Sequence, residues 1–213
     1  MAVRKARMAS KAQPFGKLRS ELKLLLQRRH IVSYTQPRSP RWQPPKFPLI
    51  SILMSSYRPD RDYVAGELEE RNVGEKDHSA VQAFFVKWFA IHEEECKLEA
   101  YPEIRIKVSP QQVRVADIAV PRVDEPYEAV LTRPPVVVIE ILSPEDRMNR
   151  YERRLQDYRH FGFPHIWVID PQHRGAFDCS TEAWHPADAF VIANPGLTVP
   201  LDSLWKKLES LHS

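Results

Sequence analysis

Residues 133–171 read RPPVVVIEILSPEDRMNRYERRLQDYRHFGFPHIWVIDP, and their pattern decides the fold. The run Val136-Val137-Val138-Ile139, resumed by Ile141-Leu142, has the continuous apolar character of a strand buried on both faces. Glu140 interrupts it. A carboxylate taken out of water is costly unless it pairs, binds a metal or takes up a proton. Ser143 then suits a helix N-cap, Pro144 the first helical position and Asp146 a weak capping box. Met148, Tyr151, Leu155 and Tyr158 recur at spacings of three and four, one stripe of an amphipathic helix that Gly162 ends. A second strand spans His165 to Asp170. Strand, helix and strand at this length predict a right-handed parallel crossover. Glu140 falls near the carboxyl end of its strand, where open α/β sheets place their sites.

A second carboxylate of the same kind lies upstream. Tyr101 to Val108 and Val113 to Val120 alternate as two strands, and residues 109–112 suit a hairpin connection. Parity groups Asp117 with Val113, Val115 and Ala119 on one face. Two acids on apolar strand faces compensate each other around a divalent cation, and hard oxygen ligands suit Mg²⁺ or Mn²⁺. Such a cation activates water and neutralises charge on a phosphodiester.

The helix can bring a cation of its own. Glu140 lies roughly 10 Å down its strand from the expected cap at Ser143. Arg154 lies about 16 Å along the returning helix. The two come level, so Arg154 can reach Glu140. The competing reading makes Arg147, Arg150, Arg153 and Arg154 a solvated basic face with Glu152 and Asp157.

Before the hairpin, Val81, Phe84, Phe85, Trp88, Phe89 and His92 form a helical core stripe capped at Asp77 or Ser79, with His92 as a packed core histidine. His78, at the helix start, reads as a capping residue. Glu67 and Glu69, flanking Leu68, read as a solvated acidic edge. Toward the end, strands are expected near 177–183 and 190–193, then a helix through Leu201, Leu204, Trp205, Leu208 and Leu211.

Charge divides the chain. Residues 1–53 hold 12 Lys or Arg and one acid, a net +11, while 54–213 hold 19 basic and 27 acidic residues, a net −8. The first segment reads as a basic, Pro-containing extension dispensable for folding. It is a nucleic-acid-binding tail, a transit segment or an upstream extension ahead of a start at Met54. Residues 54–213 read as one domain. Two distant cysteines, Cys96 and Cys179, fit a reduced, cytoplasmic protein and give no zinc pattern. No apolar run is long enough to cross a membrane, and no Gly-rich phosphate loop calls for a nucleotide cofactor.

In order, Gly66-Glu67-Leu68-Glu69-Glu70, Val115-Ala116-Asp117-Ile118-Ala119-Val120, Val138-Ile139-Glu140-Ile141-Leu142-Ser143-Pro144, and Tyr158 through Gly162 to Pro171 resemble the Uma-two family of restriction endonucleases, within the PD-(D/E)XK nuclease superfamily. The resemblance covers about residues 57–210. It implies an α/β (α+β) fold with a restriction-endonuclease-like mixed central β-sheet flanked by helices. It also implies a metal-dependent DNA nuclease acting as a homodimer. By position, Asp117 and Glu140 would hold the Mg²⁺ or Mn²⁺, the Ile141 carbonyl would be a further ligand, and Arg154 would be the catalytic cation. Arg154 departs from the family, which carries a lysine four residues before the tyrosine, here Tyr158. Leu142 occupies the position where the wider superfamily has its lysine, Ala116 that of a proline and Ala65 that of an aspartate. Arginine supplies charge, but its planar fork does not place a water as a compact ammonium does, and it holds its proton. A nuclease-like domain that binds nucleic acid or protein without cutting is the alternative, and another kind of metal hydrolase a third.

Overall fold

The computed structural model describes residues 49–55, 60–71, 75–144 and 148–213. Expectations that fall on residues 1–48, on Asp146 and on Arg147 lie outside them.

An eight-stranded mixed sheet forms the centre. Its strands are β1 (Asp62–Val64), β2 (Glu67–Glu69), β3 (Tyr101–Ser109), β4 (Gln112–Val120), β5 (Val137–Ile141), β6 (His165–Asp170), β7 (Gly175–Asp178) and β8 (His185–Pro186). Its order is β2-β1-β4-β5-β6-β7-β8, with β3 paired to β4 off this path. Only β5 and β6 run parallel among these pairs, with Val137 opposite His165 and Ile141 opposite Ile169. The mixed sheet and its flanking helices are those the sequence predicted.

Helix α1 spans Leu49–Leu53, α2 Lys76–Cys96, α3 Met148–Phe161 and α4 Asp202–Leu211. A small hairpin of β9 (Ala189–Ile192) and β10 (Leu197–Pro200) stands apart from the main sheet. Alternation divides each central strand between two cores. Val137, Ile139, Ile141 and Trp167 pack with Val81, Phe85 and Phe89 of α2 and Leu204 and Leu208 of α4. Val138, Ile166 and Val168 pack with Tyr151, Leu155 and Tyr158 of α3. Each fully buried side chain of this size contributes about 1.5–3 kcal/mol. Every residue of β5 is buried, Glu140 included.

Some boundaries differ from expectation. Helix α2 begins at Lys76 with Glu75 as N-cap, ahead of Asp77 and Ser79. The N-cap Glu75 makes no side-chain capping bond, so no capping side chain announces the start. His92 lies as a packed histidine, stacked on Trp88 with ring centroids 4.1 Å apart. Helix α3 begins at Met148 among the described residues, and Ser143 and Pro144 precede it outside the helix. Gly162 ends it at φ +95°, its N–H reaching the Tyr158 and Arg159 carbonyls at 3.1 Å each. That left-handed turn is easy for glycine. The strand expected near 177–183 is the shorter β7, and β8 and β10 carried too little periodicity to be read.

Helix α1 lies on the near side of the expected boundary at residue 53. Ile52 is fully buried against Tyr63 and Val113, and its carbonyl accepts from Arg105 at 2.8 Å. Arg105 also grips Asp60 through two bonds of 2.6 Å. The folded body therefore reaches back at least to Leu49. The expected boundary rests on Met54 as a start, and the five residues before it are too few to show a period.

Candidate active site

With β3 along one edge of β4, the other edge is shared. β1 pairs with it at Gln112 and Val113, and β5 at Ile118, Ala119 and Val120. Between these ladders lies a seam, where side-chain carboxylates take the place of strand partners. Asp62 Oδ1 accepts from the Val115 N–H at 2.9 Å. Asp117 Oδ2 accepts from the Ile141 N–H at 2.8 Å. A buried backbone donor must be matched, and a carboxylate makes a stronger acceptor than a carbonyl.

The seam gathers the buried charges. Asp62, Arg114, Asp117 and Glu140 are the buried charged residues among those described. Arg154 bridges two of them, donating to Glu140 Oε2 at 2.7 Å and to Asp62 Oδ2 at 2.9 Å. Tyr158 donates to Glu140 Oε1 at 2.6 Å. Arg114 donates to Asp62 at 2.8 Å and to Asp157 at 2.6 and 2.8 Å. Glu69 lies 3.4 Å from Arg114 and 3.3 Å from Arg150. On the far side, Arg71 donates to both Glu103 and Asp117. His78 Nε2 lies 3.7 Å from Asp117 Oδ1. Gln82 ties Glu103 to the Asp117 carbonyl at 2.9 and 3.0 Å.

Several expectations change here. Arg154 and Asp157 do not belong to a solvated face, since both point into the network. Glu69 pairs with two arginines, while Glu67 is exposed. His78 lies within α2 and faces Asp117. Glu140 and Arg154 meet as their spacing implied. Asp117 and Glu140 share no hydrogen-bond partner in the network. They act on each other through space, because the Glu140 charge is the second cause, after burial, of the raised pKa of Asp117. Among the described residues, the ligand atoms lying within 4.8 Å of one another are those of His78, Glu103 and Asp117, a group that does not include Glu140.

Electrostatics separates the acids. Burial, then the Glu140 charge, raises the Asp117 carboxyl against the pull of Arg71 and Arg154. Burial alone would also raise Asp62, but Arg154, Arg114 and Arg71 together hold it down at about 2. Burial and the Glu140 charge raise Tyr158 well above its ordinary value, so it remains a proton donor to Glu140. Arg154 is held charged by Asp62 and Glu140 in spite of burial. Opposed shifts among close groups mark functional sites, although structural ion networks produce them too.

Arg114, Asp62, Arg71 and Glu103 were missed from sequence. Arg114 left a signal, as the one charge besides Asp117 in Val113–Val120. Asp62 and Arg71 lie in short polar stretches where nothing in spacing marks them, and Glu103 reads as an ordinary polar position in the alternation of β3.

Beside this network opens a cavity of about 370 Å³. It is lined by Leu142 and Ser143 after β5, by Pro171, Gln172 and Arg174 in the turn after β6, and by His78. His78 thus borders both the cavity and Asp117.

The model of the Uma2 family, whose description is "Putative restriction endonuclease", matches residues 54–191. The chain belongs to the Uma2 family. The match runs from the residue after α1 through β9 and takes in the whole seam. A crystal structure of a putative nuclease belonging to DUF820 from Anabaena variabilis superimposes with a TM-score of 0.62 at 18% identity, covering 74% of this chain and 96% of that one. At that identity the likeness establishes the fold. No curated protein matches the chain. Among the described residues of this Uma2 protein, no helix is long and apolar enough to cross a membrane.

Proposed function

We propose that the chain is a divalent-metal-dependent DNA endonuclease that hydrolyses phosphodiester bonds at the seam on the edge of β4 between β1 and β5. One observation carries the reading. Asp117, buried at the open end of the β4–β5 ladder, has a carboxylate oxygen within 4.8 Å of ligand atoms of His78 and Glu103, while Glu140 is buried on the neighbouring strand. The donor set fits the group, since carboxylates suit Mg²⁺ and Mn²⁺ and an added imidazole suits the latter better. Asp117 would hold the ion with His78 and Glu103, the family's pattern adds the Ile141 carbonyl, and Glu140 would join them only by giving up its bond to Arg154 or Tyr158. A cation there supplies charge to the phosphodiester and lowers the pKa of a bound water.

The chain's own residues hold the acids in place. The Ile141 N–H fixes one oxygen of Asp117, and Tyr158 fixes one of Glu140. Arg154 contributes a permanent positive charge beside Glu140 and exchanges no proton. Membership of the Uma2 family supports DNA as the substrate, and with it the expectation of a homodimer in the cytoplasm.

A second reading rests on a specific observation. Arg154 is already bound by both Glu140 and Asp62. The buried acids Asp62, Asp117 and Glu140 thus meet three largely buried arginines, 71, 114 and 154, so their charge is compensated within the chain. Such a balance suits a nuclease-like domain that binds without cutting. Plasmid nicking with Mn²⁺ or Mg²⁺ separates the two. Cleavage by the wild type that Asp117→Asn and Glu140→Gln abolish supports the nuclease. Absence of cleavage by both the wild type and Arg154→Lys, with nucleic-acid binding retained, favours the binding module.

A further inference from the structure

We propose that Arg71 is an internal competitor of the metal, its guanidinium holding the place between Glu103 and Asp117 that a divalent cation takes. The inference rests on the reading of a metal at Asp117 and adds to it a residue that governs occupancy. Arg71 directs one terminal nitrogen at Glu103 Oε2 and the other at Asp117 Oδ1. These two residues supply two of the three ligand groups, the third being His78. The fork is a built part of the site, since the Arg71 side chain is only 8% exposed.

The competition is direct. A carboxylate oxygen that accepts short charge-assisted bonds from a guanidinium has its lone pairs directed at those N–H groups. The same lone pairs would have to turn to the metal. One guanidinium charge also removes half of the attraction that two carboxylates offer a dication, at separations where charge interactions are strong in a partly buried site. Metal entry therefore requires Arg71 to leave at least one carboxylate, and the observed affinity is the intrinsic affinity reduced by the work of parting them. An arriving phosphodiester offers the freed guanidinium a new bidentate partner. Metal and DNA then bind with positive coupling, each easing the entry of the other.

Titrating Mn²⁺ into the full-length protein and following free ion by electron paramagnetic resonance tests this without cleavage. Arg71→Gln removes the charge and should tighten Mn²⁺ binding by about tenfold or more. Arg133→Gln removes an equal charge from the surface pairs with Glu125 and Glu128 and should leave the affinity unchanged. Adding Asp117→Asn to Arg71→Gln should abolish the gain. Arg71→Lys should give a smaller gain, because a single ammonium lacks the fork that spans both acids. That variant decides the matter if Arg71→Gln does not fold. Unchanged or weaker binding in both Arg71 variants, while the wild type binds, overturns the competition and leaves the nuclease reading standing. A gain that survives Asp117→Asn places the ion elsewhere and overturns it as well. Absence of Mn²⁺ binding in every variant overturns both readings.

Discussion

Arg154 Nη1 and Glu140 Oε2 lie 2.7 Å apart, joining the middle of helix α3 to the end of strand β5. Glu140 is fully buried, and the Arg154 side chain is 11% exposed. Removing one member of a buried pair leaves the other uncompensated. Arg154→Ala should therefore lower stability by about 3–5 kcal/mol in urea denaturation. Arg154→Lys keeps the charge but cannot reach Glu140 and Asp62 with a rigid fork, so its loss should be smaller. In the nicking assay the lysine variant should cut at least as well as the wild type, and the alanine variant should not cut. Equal stability of all three proteins would show that the contact carries no weight.

Asp62 gives an expectation in pH. Its carboxyl stands at about 2 in the folded protein against an ordinary value of 3.8. A depressed carboxyl contributes stability that is fully present above the unfolded value and is lost as pH falls through the folded one. The stability gap between wild type and Asp62→Asn should hold from pH 7 to about 4 and narrow from there to about 2. Urea midpoints measured across that range check it, and a gap that does not vary with pH would contradict it.

Tyr158→Phe removes the hydroxyl that Glu140 Oε1 accepts from, and it keeps the ring beside Phe163 at 4.9 Å. A buried acceptor left without its donor costs about 1–3 kcal/mol. The thermal midpoint should fall by the corresponding few degrees while far-ultraviolet circular dichroism stays the same. A midpoint equal to the wild type would remove Tyr158 from the account of how Glu140 is held.

Ile52 tests where the folded body begins. Ile52→Ala should cost about 2–5 kcal/mol, the usual range for truncating a buried aliphatic side chain to alanine. A chain beginning at Leu49 keeps Ile52 and its carbonyl on Arg105, while one beginning at Met54 loses both. The latter should melt lower than the former, and equal melting curves would return the boundary to residue 53.

The parts legible in the sequence are those that a strong period controls. The β5–α3–β6 unit announced itself through a continuous apolar run, a helical stripe and a terminating glycine. Glu140 and Asp117 stood out because each breaks an apolar pattern, and the Arg154–Glu140 contact followed from rise per residue alone. Asp62 and Arg71 could not be found this way. Strand β1 has three residues, too few to show a period, and Arg71 follows a strand equally short. Their importance comes from which strands share the edge of β4, a long-range property with no local trace. His78 was visible as a residue, but its nearness to Asp117 was not, since that contact joins residues far apart in the chain and leaves no local trace.

The shared edge of β4 also bears on when the site can exist during folding. Asp62 and Arg154 are 92 positions apart in the chain, and Asp117 and Ile141 are 24 apart. No single hairpin or crossover contains the set, so a chain that has formed only its local units holds no completed centre. Contacts at such separations carry the greatest closure entropy and form late. Under the proposed nuclease function, a newly made or partly melted molecule would not cut nucleic acid. The amides of Val115 and Ile141, which bond to side chains rather than to neighbouring strands, would report that completion in hydrogen exchange as the last to gain protection.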